Sequence, residues 1–358
     1  MTKIKVVQVG CGKMSAFAMR YVFEKGAEIV GAVDINDNII GKDISYVMGG
    51  SPKGITIKSV DKLEELLNEV KPDIALVLTM SLLNDVENEL KICAKCGVNV
   101  ITTCEEAFFS ENSNPNLFKE IDKLAKENNC TITGCGYQDI FWGNLISVIS
   151  GSTHNITKIK GSSSYNVEDY GIALAKAHGA GLTLSEFDKE VASTDNITSE
   201  KRNEIINNRE FLPSYMWNAV GWLADKLSLT ITSMNQVCIP MTSKIDLHSE
   251  TLKMDIKSGY ATGMSAVVTA ETKEGIILEA ECIGKVYNKD EVDANEWTIF
   301  GEPNTTVTVK KPSTVELTCA DVVNRIPDVI NASPGFIPTS QMMDPRYRTK
   351  SLDSYLEE

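Results

Sequence analysis

Along the first 134 residues, short apolar runs alternate with segments whose apolar positions recur every three or four residues. Ile4, Val6, Val7 and Val9 predict a buried parallel strand, and Phe17, Ala18, Tyr21 and Val22 predict the helix after it. A second apolar run, Ile29 to Val33, stops at Asp34. Residues 37–54, rich in Gly, Asp and Ser, predict a loop with a short helix. Asp61-Lys-Leu-Glu64 has the form of a capping box opening a helix through Leu63, Leu66, Leu67 and Val70. Further strands are expected at Ile74–Thr79, Val98–Thr102 and Thr131–Thr133. Helices are expected through Val86, Leu90, Cys93 and Ala94, and over about 115–128. This alternation predicts a doubly wound parallel sheet of Rossmann type.

After about residue 150 the period changes to two. Lys158–Tyr165, Ile239–His248, Met264–Glu271, Ile276–Ile283 and Thr305–Val309 alternate, which predicts a mostly antiparallel sheet with one covered face. Helices are expected near 184–192 and 213–227, the second opened by Pro213 and packed through Met216, Trp217, Val220, Trp222, Leu223 and Leu227. A last helix, Cys319–Ile326, leads to Pro334-Gly335-Phe336. The expected division is a dinucleotide-binding domain over 1–148, an α+β substrate and dimerisation domain over 149–315, and a segment over 316–358 that returns to the first domain.

With 358 residues, 42% apolar and 23% charged, the chain has the composition of a globular protein. A net charge of −14 disfavours nucleic acid and anionic membrane as partners. Without a long apolar stretch or a leader, the expected location is the cytoplasm. There the nine cysteines should be reduced thiols. Cys93-x-x-Cys96 lacks a second pair at zinc spacing, so no metal is expected.

Chemistry concentrates at the carboxyl ends of the predicted parallel strands, where such sheets bind ligands. Gly10-Cys11-Gly12-Lys13-Met14-Ser15 joins the first strand to its helix. Gly10 suits the tight turn, Gly12 the approach of a pyrophosphate, and Ser15 close helix packing, with the helix dipole completing an anion site. Asp34 stands 24 residues after Gly10, where a carboxylate accepts the ribose hydroxyls of NAD and repels a 2′-phosphate. No Arg or Lys follows at once, so NAD is favoured over NADP. Thr79, Met80 and Thr102, at the ends of other strands, complete the expected cofactor contacts.

Glu105 and Glu106 follow a strand end, where a carboxylate screened from water can act as a base. Equally, one or both can cap the next helix. Asp139, in a Gly-rich turn with Tyr137 and Gln138, can hold a substrate ammonium or cap a helix. His178, in a loop of small residues, can relay a proton or bind a carboxylate. Tyr165, Asn166 and Tyr170 are expected beside the substrate, in a cleft between the domains. His154 and His248 read as structural.

Taken together, Val9-Gly-Cys-Gly-Lys-Met14, Thr102-Thr-Cys-Glu-Glu106, Gly134-Cys-Gly-Tyr-Gln-Asp-Ile-Phe141 and His178-Gly-Ala-Gly181 resemble the amine dehydrogenases related to dihydrodipicolinate reductase, over nearly the whole chain. The resemblance implies a dihydrodipicolinate reductase-like two-domain fold and a homodimer built through the second domain. It also implies NAD(P)-dependent oxidative deamination of a diamino acid, 2,4-diaminopentanoate in ornithine fermentation. A single catalytic carboxylate is implied, which maps best onto Glu105 with Glu106 in reserve. The His-His…Lys pattern of the reductase branch is missing here, which argues against that activity. Rival readings are a dehydrogenase of 3,5-diaminohexanoate, a cyclic-imine reductase, and a regulator that senses NAD(H) without turnover.

Overall fold

The computed structural model describes residues 3–357. The chain opens with β1 (Lys5–Val9), α1 (Lys13–Glu24), β2 (Glu28–Asp34), α2 (Ser45–Met48), β3 (Ile57–Ser59) and α3 (Leu63–Val70). It continues through β4 (Ile74–Val77), α4 (Leu83–Lys95), β5 (Asn99–Thr102), α5 (Pro115–Glu127) and β6 (Thr131–Gly134). The middle of the chain holds α6 (Leu145–Ser150), β7 (Asn155–Asn166), α7 (Ile172–Ala177), α8 (Leu184–Glu190), α9 (Ser199–Asn207) and α10 (Tyr215–Lys226). Then come β8 (Ile231–Thr242), β9 (Leu247–Ser249), β10 (Met254–Ile256), β11 (Ala261–Thr272), β12 (Ile277–Lys285), β13 (Ala294–Glu302) and β14 (Thr305–Lys310). The described chain closes with α11 (Thr314–Ile330) and β15 (Gly335–Phe336).

Two compact units result, one of residues 1–144 and 313–358, the other of residues 145–312. The first holds a seven-stranded parallel sheet in the order β15-β6-β5-β4-β1-β2-β3. Its strands are apolar on both faces because both are covered. Val7, Val9, Ala75, Val77 and Val100 point into a core with α3, α4 and α5. Val6, Ile74, Leu76 and Ile101 point into the other, with α1 and α11. The order reverses between β1 and β4, which is the topological switch point where such sheets hold ligands.

The second unit holds a six-stranded sheet in the order β14-β13-β7-β12-β11-β8, in which only β7 and β12 pair in parallel. Leu278, Ala280 and Cys282 alternate inward along β12 while Glu279 and Glu281 face outward. Trp297 on β13 lies across Gly161 of β7, where an added Cβ would come within 2.4 Å of the indole ring. Gly161→Ala should therefore overpack this core and destabilise by about 1–3 kcal/mol, read as a lower urea midpoint.

Two local expectations are corrected. Residues 60–62 form a 3-10 turn and α3 begins at Leu63 without a side-chain cap, so Asp61–Glu64 is not a capping box. The strand expected over Ile239–His248 ends at Thr242, because Asp246 turns the chain back by accepting from Ser258 N and Lys257 Nζ. The short helices α7 and α9 and the strand β13 had no sequence expectation. The two helices carry few buried apolar positions and hence little periodic signal, whereas β13 does alternate, with Asn295, Trp297 and Ile299 inward.

Candidate functional site

The loop from β1 to α1 has the form its glycines predict. Gly10 holds φ +83°, and an added Cβ would come within 2.6 Å of Thr79 Cγ2 and 2.7 Å of the Leu78 carbonyl oxygen, so only glycine fits. Gly12 is the N-cap residue of α1, no side chain caps it, and a Cβ there would meet nothing within 4 Å. Open space thus lies before the positive end of a 12-residue helix with no acid in its first turn. Lys13 is exposed beside it and Met14 is half-buried. Ser15 is buried, its hydroxyl donating to the Gly12 carbonyl at 2.7 Å.

Asp34 ends β2. Its Oδ2 accepts from Cys11 N at 2.5 Å and its Oδ1 from Asn36 N at 2.7 Å, which ties the acid to the glycine loop. An ionised carboxylate has about four acceptor positions, so two remain for ribose hydroxyls. Thr79 and Met80 are exposed at the end of β4. Thr102 departs from expectation: it is fully buried, and its hydroxyl accepts from Cys104 N at 3.1 Å, so it shapes the turn after β5 instead of facing a ligand. These features fit a dinucleotide: an open anion site at Gly10–Ser15 and spare acceptor positions on Asp34.

The two adjacent acids after β5 have different surroundings. Both lie in a 3-10 turn, Glu105–Phe108. Glu106 is buried; its Oε2 accepts from Leu83 N at 2.7 Å and its Oε1 from Ser113 Oγ at 2.8 Å. It caps a helix, but the preceding one, α4, and not the next as its position suggested. Glu105 is half-buried. Burial pushes its carboxyl above the usual range, and a hydrogen bond from the Ser81 side chain opposes that shift. Behind both acids, Gly134 presses against the same turn, where a Cβ would come within 2.4 Å of the Ala107 carbonyl carbon.

The turn after β6 is buried. Tyr137 N donates to Thr318 Oγ1 on α11 at 3.1 Å, and the Tyr137 ring stacks on Phe141 with centroids 4.5 Å apart. Gln138 is buried beside it. Asp139 is fully buried, accepting from Arg325 Nε at 2.8 Å and from Asn144 Nδ2 at 2.9 Å. Its reading as a substrate reader does not fit, since its carboxylate is already matched to a buried cation. Asp321, also on α11, lies against Asp139 and Cys135; burial first, then the Asp139 charge, push its carboxyl well up. No sequence signal pointed to Thr318, Asp321 or Arg325, because nothing local pairs α11 with the end of β6.

In the second unit, His178 is buried. Its Nδ1 donates to the Leu174 carbonyl at 2.9 Å, which leaves Nε2 to accept from the Tyr165 hydroxyl at 2.8 Å. Desolvation pulls its pKa down. A relay through the ring would end at a backbone carbonyl, so the proton-relay and carboxylate readings give way to a neutral packing role beside Gly284. Tyr170 is exposed and meets Tyr165 edge-on at 5.5 Å, while Asn166 Oδ1 accepts from Glu168 N at 3.2 Å.

Among the described residues, no group of three or more His, Cys, Asp or Glu side chains is placed to hold a metal ion, and no helix is long and apolar enough to cross a membrane. A family model, the 2,4-diaminopentanoate dehydrogenase C-terminal domain, matches residues 141–356, well over half of the chain. The chain belongs to the 2,4-diaminopentanoate dehydrogenase family. It is accordingly an oxidoreductase of the dehydrogenase type. The 2,4-diaminopentanoate dehydrogenase of Acetoanaerobium sticklandii is 28% identical over 357 residues, which covers 97% of this chain and 95% of that one. The solved amine dehydrogenase of Mycobacterium smegmatis is 34% identical, covers 98% of both chains and superposes with a TM-score of 0.80. Likeness to the 4-hydroxy-tetrahydrodipicolinate reductase of Methanocaldococcus jannaschii is confined to 129 residues, at 31% identity, covering 35% of this chain and 44% of that one. The first two of these likenesses run over nearly the whole chain, whereas that to the tetrahydrodipicolinate reductase is partial.

Proposed function

We propose that this chain catalyses the NAD-linked oxidative deamination of 2,4-diaminopentanoate, with Glu105 as the base. The observation that carries the reading is the contrast at the end of β5. Of two adjacent acids, Glu106 is committed to Leu83 N and Ser113, whereas Glu105 is half-buried with its carboxyl raised toward neutrality. The relative from A. sticklandii supports the substrate by its name.

In outline, substrate, NAD+ and water give 2-amino-4-oxopentanoate, ammonium, NADH and a proton. An ammonium group cannot expel hydride from its carbon, so the amine at C4 must first lose a proton. Glu105 takes that proton. When bound, the nicotinamide accepts the hydride from C4. The same carboxyl group then directs water onto the iminium carbon, and the departing amine leaves as ammonia, protonated in solution. Gly10–Ser15 and Asp34 are assigned to the dinucleotide, with Thr79 and Met80 bordering it. Tyr137 and Gln138 are retained as candidate substrate contacts. A homodimer through the second unit, a cytoplasmic location and a place in ornithine fermentation accompany this reading.

Incubating the protein with 2,4-diaminopentanoate and NAD+ should raise the absorbance of reduced nicotinamide with equimolar release of ammonium. Turnover of 3,5-diaminohexanoate or of a cyclic imine alone would overturn the substrate, and binding of NADH with no turnover of any of them would make the chain a sensor. Asp34→Ala should weaken NAD by about tenfold or more, since hydrogen bonds to a charged group are worth about 1.5–3 kcal/mol. It should also narrow the gap to NADP. Calorimetric titration with both dinucleotides checks this, and an unchanged ratio removes Asp34 from the ribose role.

A further inference from the structure

The loop between β4 and α4 carries Ser81, a strand-end residue to which no role has yet been given. Ser81 is bound to both neighbours of Glu105. Its carbonyl oxygen accepts from Glu106 N at 3.1 Å and from Cys104 Sγ at 3.2 Å. The backbone of Ser81 is thereby held against residues 104 and 106, on either side of Glu105, and its side chain favours the ionised form of that carboxyl group. Glu106 in turn caps α4 through Leu83 N, two residues beyond Ser81. Strand-end loop, helix start and 3-10 turn are therefore stitched together around Glu105.

We propose that Ser81 is a positioning residue for Glu105, its hydroxyl donating to the carboxylate and holding it in the orientation that proton abstraction requires. The inference rests on the assignment of Glu105 as the base. A hydroxyl donor stabilises the ionised acid and does not itself titrate near neutrality, so it tunes the base without adding charge. The other ionisable groups around this turn leave that task to Ser81. Cys104 is a buried thiol whose pKa is pushed well up, mainly by desolvation. Glu106 is bound to Leu83 N and Ser113, Asp85 on α4 acts on Glu106, and Asp139 after β6 is matched by Arg325.

The test is the pH profile of kcat/KM for the full-length enzyme with 2,4-diaminopentanoate. The ionised acid is the active form, so activity rises with pH through the Glu105 pKa. Ser81→Ala removes the bond that favours ionisation and should move the acidic limb up by about one pH unit. It should also lower kcat several-fold on the plateau, with KM for NAD unchanged. Ser81→Thr keeps a hydroxyl and should restore the limb. Ser81→Cys, with a weaker donor of similar size, should fall between, and thermal unfolding of each variant confirms that it is folded. A limb within 0.2 pH units of the parent in both Ser81→Ala and Ser81→Cys would overturn the proposal, as would failure of Ser81→Thr to restore it. Glu105→Gln, assayed alongside, separates the two ideas. If it keeps the parent rate, the base assignment falls and takes Ser81 with it; if it is dead while Ser81→Ala keeps the parent limb, only the role of Ser81 falls.

Discussion

Replacing Glu105 with Gln should lower kcat for deamination by about 10²–10⁴-fold, the usual contribution of a positioned general base. Dinucleotide affinity should stay unchanged, because the glycine loop and Asp34 lie on other strands. The amide matches the acid in size but cannot take a proton from the substrate ammonium. Residual turnover should then follow the small fraction of free amine and rise with pH. Glu106→Gln keeps an acceptor oxygen for Leu83 N, so it should retain the parent's turnover and lose about 1 kcal/mol of stability with the weakened cap. Stopped-flow rates and a fluorescence titration with NADH measure both quantities. If Glu106→Gln is the inactive variant, the assignment of the two acids is reversed.

The second large effect concerns stability. Asp139 and Arg325 form an ion pair in which both side chains are 0% exposed. Removing one member of such a pair leaves a charge in a medium that solvates it poorly, at about 3–5 kcal/mol. Asp139→Asn should therefore shift the denaturant midpoint steeply. Asp321→Asn should cost about 1 kcal/mol or less, because burial and the Asp139 charge favour the neutral form of this acid, which the amide mimics. The ordering is the test: a larger loss from Asp321→Asn than from Asp139→Asn would overturn it. Arg325 Nη1 also donates to the Met343 carbonyl, and Asp328 links it to Arg348. Loosening this cluster should therefore release the C-terminal segment from α11 as well as the turn after β6.

Two kinds of site residue separate here. Gly10, Gly12 and Asp34 were legible because the β1-loop-α1-β2 unit is local, with strand, turn, helix and acid in fixed chain order. The choice between a base and a helix cap for Glu105 and Glu106 was not, since only the fold brings Leu83 N and Ser113 to Glu106 and Ser81 beside Glu105. Asp139 misled for a related reason. An acid in a Gly-rich turn has the form of a ligand reader, but its partner stands 186 residues later on α11, beyond any local pattern. His178 likewise carried chemistry in type only, because Leu174 and Tyr165 fix its tautomer and occupy both nitrogens.

By itself the sequence determined the class of both sheets and the location of the glycine turn after β1. A strand covered on both faces must be apolar throughout, and a strand covered on one must alternate, so the folding environment is written into the order of residues. Tertiary structure alone decided which carboxylates are available for chemistry. An acid's protonation and direction depend on the donors, cations and apolar bulk packed against it, and most of those come from segments far along the chain.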